Sequence, residues 1–272
     1  MTIKETLNKI KQQLLEVCER PQYEAELLLA YHLQQNRMYL MTHDNDEVEA
    51  LEKFEALVQR RANSEPYEYI VGEASFYDIE LAVEKGVLIP RPETEILIDL
   101  VAKIIEKENI TQIAEIGVGS GAISIVLARK FGALNIVATD ICEKPLEVAQ
   151  KNINNFNLNT QITLMKSNLI DEVKMPIELV VSNPPYIAND FVLKSNVVDY
   201  EPKEALFGGR VGNELLKQII LDVKAKNIKY LVCEMGYDQK EPIDAFVKMV
   251  GVQQIKFYKD LAGFDRGFLI IF

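Results

Sequence analysis

The hydrophobic positions of this chain change period along its length. Over residues 3–61 they recur every three or four residues: Leu7, Ile10, Leu14 and Val17 form one stripe, Pro21 breaks it, and the period resumes over residues 24–29. Val48, Leu51, Phe54, Leu57 and Val58 line a third stripe over residues 46–61. Three helices are predicted, joined by short connections into an N-terminal bundle over residues 1–65. Residues 66–92 are patterned for strands instead. Tyr67, Tyr69, Ile70 and Val71 precede Gly72, and Phe76, Tyr77, Ile79, Leu81 and Val83 follow it, which predicts a β-hairpin. Pro90-Arg91-Pro92 lacks the donors of a central strand and is too stiff for a helix, so it reads as a fixed linker.

From residue 93 onward, short β-branched runs alternate with helical periods. A helix is predicted over residues 93–107, with Ile96, Leu97, Leu100, Val101 and Ile104 inward and the acids Glu93 and Glu95 complementing its dipole. Strand 113–116, loop 117–121 and helix 122–130 follow, then strand 135–139, helix 144–155 and strand 161–165. Leu179, Val180 and Val181 form a strand that needs apolar cover on both faces, as in a parallel sheet. Residues 187–199 read as an irregular flap, and Phe207-Gly208-Gly209 as a flexible loop suited to closing over a substrate. Helix 213–225, strand 229–233, a helix carrying residues 246–250, and paired strands 254–258 and 268–272 complete an α/β chain.

Composition narrows the classes of function. Among 272 residues, 30 basic and 41 acidic side chains leave a net charge of −11, which opposes sequence-independent binding to phosphate backbones. No nucleic-acid partner is expected. Cys18, Cys142 and Cys233 are isolated and only His32 and His43 add imidazole, so neither a metal site nor a disulfide framework is indicated. The opening residues carry no apolar signal core, and no apolar run approaches the roughly 20 residues of a membrane span. A soluble cytoplasmic protein without a membrane partner is expected.

Two stretches carry chemistry. Gly117-Val118-Gly119-Ser120-Gly121 lies between a strand and a helix, where glycines let a ligand approach the backbone and the helix N-terminus attracts an anion. Its G-x-G-x-G spacing is not the dinucleotide fingerprint. Asp140 ends the next strand, where an acid can accept bonds from both ribose hydroxyls of a nicotinamide or an adenosylmethionine cofactor. Asn168 and Leu169, past the third strand, face the same crevice, one suited to an adenine amino group and the other to covering the ring. The second stretch is Asn183-Pro184-Pro185-Tyr186. Pro184 forces Asn183 into an extended conformation and Pro185 extends the restraint, so a rigid corner presents the Asn183 side-chain oxygen and adjacent carbonyls as acceptors for a planar amino group. Tyr186 adds an aromatic face. An amide nitrogen is a poor nucleophile, and fixed acceptors that orient its hydrogens also stabilise the charge it gains on attack.

With the glycine loop, Asp140 and the Asn183 corner in place, the chain resembles the class I S-adenosylmethionine-dependent methyltransferases that modify exocyclic or amide nitrogens, and most of all the release-factor glutamine methyltransferases. Residues 66–76, 89–95, 200–202, 205–209 and 260–263 match segments typical of that family. The resemblance implies a Rossmann-like seven-stranded sheet over residues 93–272, a small N-terminal helical domain for substrate recognition, and S-adenosylmethionine as cofactor. It implies action on the Gly-Gly-Gln loop of class I peptide chain release factors, and a monomer is the simplest expectation for an enzyme that must embrace a protein domain. Asn183 and Pro184 would hold the glutamine amide, with Pro185 bracing the corner and Tyr186 flanking it. Gly117, Val118, Gly119, Ser120 and Gly121 would line the methionine moiety below Glu115. Asp140 would hold the ribose, Ile141 and Asn183 would also contact the cofactor, and Asn168 and Leu169 would meet the adenine. Glu115 stands where Asp is common, Asn168 where Asp is usual, Leu169 where an aromatic is frequent, and Val211 where an acid often follows the glycines. A ribosomal-protein glutamine methyltransferase would share corner and fold. So would a nucleic-acid amino-methyltransferase, against which the acidic charge and the helical bundle weigh.

Overall fold

The computed structural model describes residues 1–193 and 195–272. They divide into two units between Gly72 and Glu73, with residues 195–200 belonging to the first.

The first unit is helical. Thr2 opens α1 (Ile3–Leu14) with a reciprocal capping box, accepting from Glu5 N at 3.2 Å while its own N–H donates to Glu5 Oε2 at 3.0 Å. Next come α2 (Pro21–Leu33), with proline in its first turn, and the short α3 (Arg37–Thr42), capped by the Asn36 side chain. Then follow α4 (Leu51–Ala62) and α5 (Tyr67–Val71). Ile10, Leu14, Leu28, Leu29 and Phe54 are fully buried in its core, and Arg61 pairs with Glu24 at its margin. Three expectations are corrected here. The segment 37–42 is helical. The third predicted helix begins at Leu51, because residues 43–46 make a turn closed by Asp46 N–H to His43 O (3.0 Å) and the chain is then tied to the N-terminus by Ile3 N–H to Asp46 O (2.9 Å) and Val48 N–H to Met1 O (3.0 Å). The β-prone run 67–71 is a helix: Pro66 starts it, Gly72 ends it, and burial of Ile70 in the bundle core outweighs strand propensity.

The second unit opens with a hairpin of β1 (Glu73–Phe76) and β2 (Ile79–Ala82), so the predicted hairpin lies wholly after Gly72. Then come α6 (Thr94–Glu108), β3 (Gln112–Ile116), α7 (Ala122–Lys130), β4 (Asn135–Asp140), α8 (Glu143–Asn155), β5 (Ile162–Lys166), β6 (Leu179–Ser182), β7 (Ile187–Ala188) and β8 (Phe207–Gly209). The chain finishes through α9 (Glu214–Ala225), β9 (Tyr230–Glu234), α10 (Lys240–Val250), β10 (Gln254–Lys259) and β11 (Asp265–Ile271). The seven-stranded sheet has the order β10-β11-β9-β6-β3-β4-β5, as expected for the fold, and β11 runs antiparallel to both its neighbours. Residues of one strand alternate between two apolar layers. Ile113, Leu179 and Val181 pack with α6 and α7, whereas Ala114 and Val180 pack with α9 and α10. Each fully buried aliphatic side chain contributes about 1.5–3 kcal/mol, which is why these strands read as continuous hydrophobic runs.

The predicted flap is more ordered than its composition suggests. Ile187–Ala188 pairs in parallel with Phe207–Gly209, and Ser195–Val198 forms a helical turn; position 194 lies outside the described residues. No helix among the described residues is long and apolar enough to cross a membrane.

One buried amide ties the hairpin to the sheet. Asn152 accepts from Ala82 N–H at 2.8 Å and donates to Ala82 O at 2.9 Å and Ser120 O at 2.8 Å. Asn152→Leu would remove the partner of one buried and two half-buried backbone groups, and should lower the unfolding free energy by about 1–3 kcal/mol in urea titrations.

Candidate functional site

Strand register brings the two predicted chemical stretches together. Glu115 pairs with Val181 and Ile116 with Ser182, so the chain leaves β3 as Gly117 beside the point where it leaves β6 as Asn183. Ser182 Oγ donates to Ile116 O at 2.8 Å, fastening the two strand ends. The glycine loop then folds over the end of β4, with the N–H groups of Gly117 and Val118 both donating to Thr139 O at 2.9 Å. Gly117 and Gly119 adopt φ of 76° and 55°, and a Cβ at either would project into open space. That space is an open cleft lined by Glu115, Gly117, Val118, Gly119, Ser120 and Asn183 together with the hairpin residue Phe76 and with Arg91 and Thr94.

Acids surround the loop. Glu115, 1% exposed at the cleft, accepts both the N–H of Ser124 (3.0 Å) and its hydroxyl through Oε2. The extra methylene relative to Asp lets it reach the first turn of α7. Burial, opposed by those donors, raises its pKa to about 8. Asp140 accepts from Gly119 N at 3.4 Å and Cys142 N at 3.0 Å, and burial raises its pKa as well. Ile141 is 60% exposed beside it. The third-strand residues are less well disposed toward the cleft. Asn168 is exposed and donates to Asp171 at 3.2 Å, while Leu169 is buried in the layer with Val137 and Ile170.

At the corner, Asn183 borders the cleft, Pro184 is buried and Pro185 half-buried. Asn183 Nδ2 donates to Thr94 Oγ1 at 2.9 Å, and Thr94 Oγ1 donates to Glu234 Oε2 at 2.8 Å. Tyr186 does not border the cleft. It packs against the apolar layer below, and its hydroxyl donates to Glu234 Oε1 at 3.0 Å. Burial, then the Glu234 charge, raises the Tyr186 phenol well above its usual range. Gln239 Nε2 donates to Tyr186 O at 2.8 Å, holding the backbone behind the corner.

The glycines expected to form a flexible closing loop do something else. A Cβ on Gly208 would collide with the carbonyl oxygens of Pro185 and Gly212, so glycine is required there for β8 to lie against the corner. Arg91 was visible only as part of a stiff segment. It donates to the buried Glu201 at 2.5 Å, and Ile89 N–H donates to the other Glu201 oxygen at 3.2 Å, so the linker is pinned along the cleft. Leu88, Pro90 and Arg91 from the linker side and Thr94 from α6, rather than Glu93 and Glu95, reach the cleft; Glu95 instead accepts from Tyr77 N in the hairpin turn at 2.8 Å. Glu234 gave no local signal, although its place at the carboxyl end of a parallel strand was a clue.

Residues 5–72 match the PrmC N-terminal domain family and residues 93–199 the methyltransferase small domain family. The release factor glutamine methyltransferase of Clostridium botulinum is 36% identical over 255 residues, covering 90% of each chain. That of Coxiella burnetii is 33% identical and covers 98% of this chain and 97% of its own. Among solved structures, the hMettl16 catalytic domain in complex with MAT2A 3'UTR hairpin 6 superposes with a TM-score of 0.59 at 19% identity, covering 71% of this chain and 75% of that one. The N-terminal domain of human METTL16 in complex with SAH gives 0.53 at 19% identity, covering 71% and 76%. These two likenesses show the fold.

Two outcomes follow from the geometry. Gly208→Ala should displace Pro185 and lower turnover about tenfold or more while the fold persists, as judged by kinetics and circular dichroism. Glu115 keeps its proton in the folded chain up to about pH 8 but loses it near 4.5 when unfolded. Its stabilising share is therefore complete below pH 4.5 and lost as pH rises through 8. Denaturation midpoints of Glu115→Gln should gain on the wild type across that window and run parallel above it.

Proposed function

The chain belongs to the release factor glutamine methyltransferase family, and we propose that it methylates N5 of the glutamine side-chain amide in the Gly-Gly-Gln loop of class I peptide chain release factors. The observation that carries this reading is the fixed polarity of Asn183. Its Nδ2 donates to Thr94, which leaves Oδ1 as an acceptor on a residue that borders the cleft beside the glycine loop.

The cleft fits S-adenosylmethionine on its own chemistry. Open space above Gly117 and Gly119 admits a ligand to the backbone, the α7 N-terminus favours its carboxylate, and the acids Glu115 and Asp140 favour its positive charge. When bound, this cofactor supplies an electrophilic methyl group on a sulfonium. Asp140 would accept the ribose hydroxyls and Ile141 would cover the adenine. Asn168 and Leu169 are assigned to the same end, Asn168 by exchanging its bond to Asp171. Asn183 Oδ1 and the Pro184 carbonyl accept the two N–H bonds of the substrate amide, so its nitrogen is held with the lone pair free to attack. As the nitrogen gains positive charge the same acceptors stabilise it, and the proton leaves to water. Tyr186 and Pro185 brace this arrangement from behind. The N-terminal helical unit recognises the protein substrate, and the enzyme works as a cytoplasmic monomer.

Incubation with methyl-labelled cofactor tests the assignment. Label should enter a class I release factor and be lost when its Gly-Gly-Gln glutamine is changed; label in a ribosomal protein or an RNA instead would overturn it. Asn183→Ala should cut kcat by about a hundredfold or more with the cofactor Kd unchanged. Asp140→Ala should chiefly weaken cofactor binding in calorimetry, and an unaltered Kd would remove it from the ribose site.

A further inference from the structure

We propose that Glu234 is a positioning residue that sets the direction of the Asn183 amide through Thr94, so that the amide-holding oxygen faces the cleft only while Glu234 is ionised. This rests on the reading of Asn183 as the group that holds the substrate amide.

The argument is one of donor and acceptor counting. Glu234 is 1% exposed and receives two hydroxyl donors, Thr94 Oγ1 on Oε2 at 2.8 Å and Tyr186 OH on Oε1 at 3.0 Å. A carboxylate accepts both. Because the Thr94 proton is committed to Glu234, the Thr94 oxygen is left as an acceptor, and Asn183 must offer it N–H2 at 2.9 Å. Oδ1 then points the other way. A proton on Glu234 Oε2 reverses the sequence: the acid donates to Thr94, Thr94 donates to Asn183 Oδ1, and the Asn183 N–H2 group turns to the cleft. An incoming amide nitrogen, itself carrying two hydrogens, would meet donors in place of an acceptor.

Groups on every element packed around Glu234 act on this switch. Tyr186 from the corner and Arg266 from β11 favour the charge, while Glu93 at the start of α6 opposes it, and Tyr258 of β10 lies buried within its field. Arg266 is itself paired with Asp260 at 2.7 Å, which divides its influence. Burial outweighs the favourable contacts and lifts Glu234 to about 7, within the range where an enzyme operates.

The experiment compares purified full-length variants acting on a release factor at saturating cofactor, with cofactor affinity measured separately by calorimetry. In the wild type, kcat should rise with pH along a limb centred near 7, set by Glu234. Glu234→Gln, which cannot ionise, should erase that limb whatever turnover remains. Thr94→Val, nearly isosteric but unable to relay, should lower kcat about ten- to hundredfold with the cofactor Kd within about twofold of wild type, and Thr94→Ser should restore turnover to within about threefold. A limb that persists in Glu234→Gln, or a Thr94→Val enzyme with wild-type kcat, would overturn the inference. Asn183→Ala separates the two readings. If it abolishes turnover while the Thr94 and Glu234 variants behave as wild type, only the relay is wrong; if it too is fully active, the amide-holding role of Asn183 falls first.

Discussion

The parallel register between β3 and β6 is the constraint on which the rest depends. Pairing Ile116 with Ser182 makes the glycine loop and the Asn183 corner neighbours at the strand ends, and the Ser182 hydroxyl bond to Ile116 O locks them at that spacing. Because side chains alternate with a period of two, a slip by one residue would also move Leu179 and Val181 from the α6–α7 layer into the other. The apolar core therefore enforces the spacing between the glycine loop and the Asn183 corner. Burial of dozens of methyl groups underwrites one distance between two polar loops.

Rigidity at the corner has several independent sources. Two prolines restrict the backbone from within, Gly208 and Gly212 let neighbouring backbone press against it, and Gln239 holds the Tyr186 carbonyl. What these leave undetermined is which way round the Asn183 amide stands, since its oxygen and nitrogen are nearly the same size. Only hydrogen bonding can decide that, and the decision is passed from a carboxylate on β9 through a hydroxyl on α6. Tyr186 thus serves the corner by its hydroxyl as well as its ring, which the sequence motif alone does not convey.

Local order was legible in residues 112–155 because each element there carries its own signal: a β-branched run, glycines at alternate positions, and a helical stripe. The seven-stranded sheet and the residues lining the loop and corner followed from the same signals and from family resemblance. Three features were not legible. Tyr67–Val71 has strand-forming residues, yet Pro66 and the bundle core impose a helix. Phe207–Gly209 reads as mobile by composition, although its glycines exist for close packing. Thr94 and Glu234 are separated by well over a hundred residues, and no periodicity links a hydroxyl at a helix start to an acid at a strand end. Contacts of that kind belong to tertiary structure, and the sequence holds them only as two unremarkable polar positions.

The acids near the glycine loop and the corner are shielded from water at a cost to their charge. Glu115, Asp140 and Glu234 are all pushed toward their neutral forms by burial, so each is held at the expense of its charge. A cation in the cleft favours the ionised form of Glu115, and its binding is thereby coupled to loss of the Glu115 proton, while Asp140 adds its charge beside the loop. Glu234 lies behind the corner and feels such a charge at longer range, weakened further by Arg266 and Asp260. The fold thus separates two electrostatic tasks that use the same residue type. Acids beside the glycine loop favour positive charge there, and the acid behind the corner meets the Asn183 amide through the Thr94 hydroxyl.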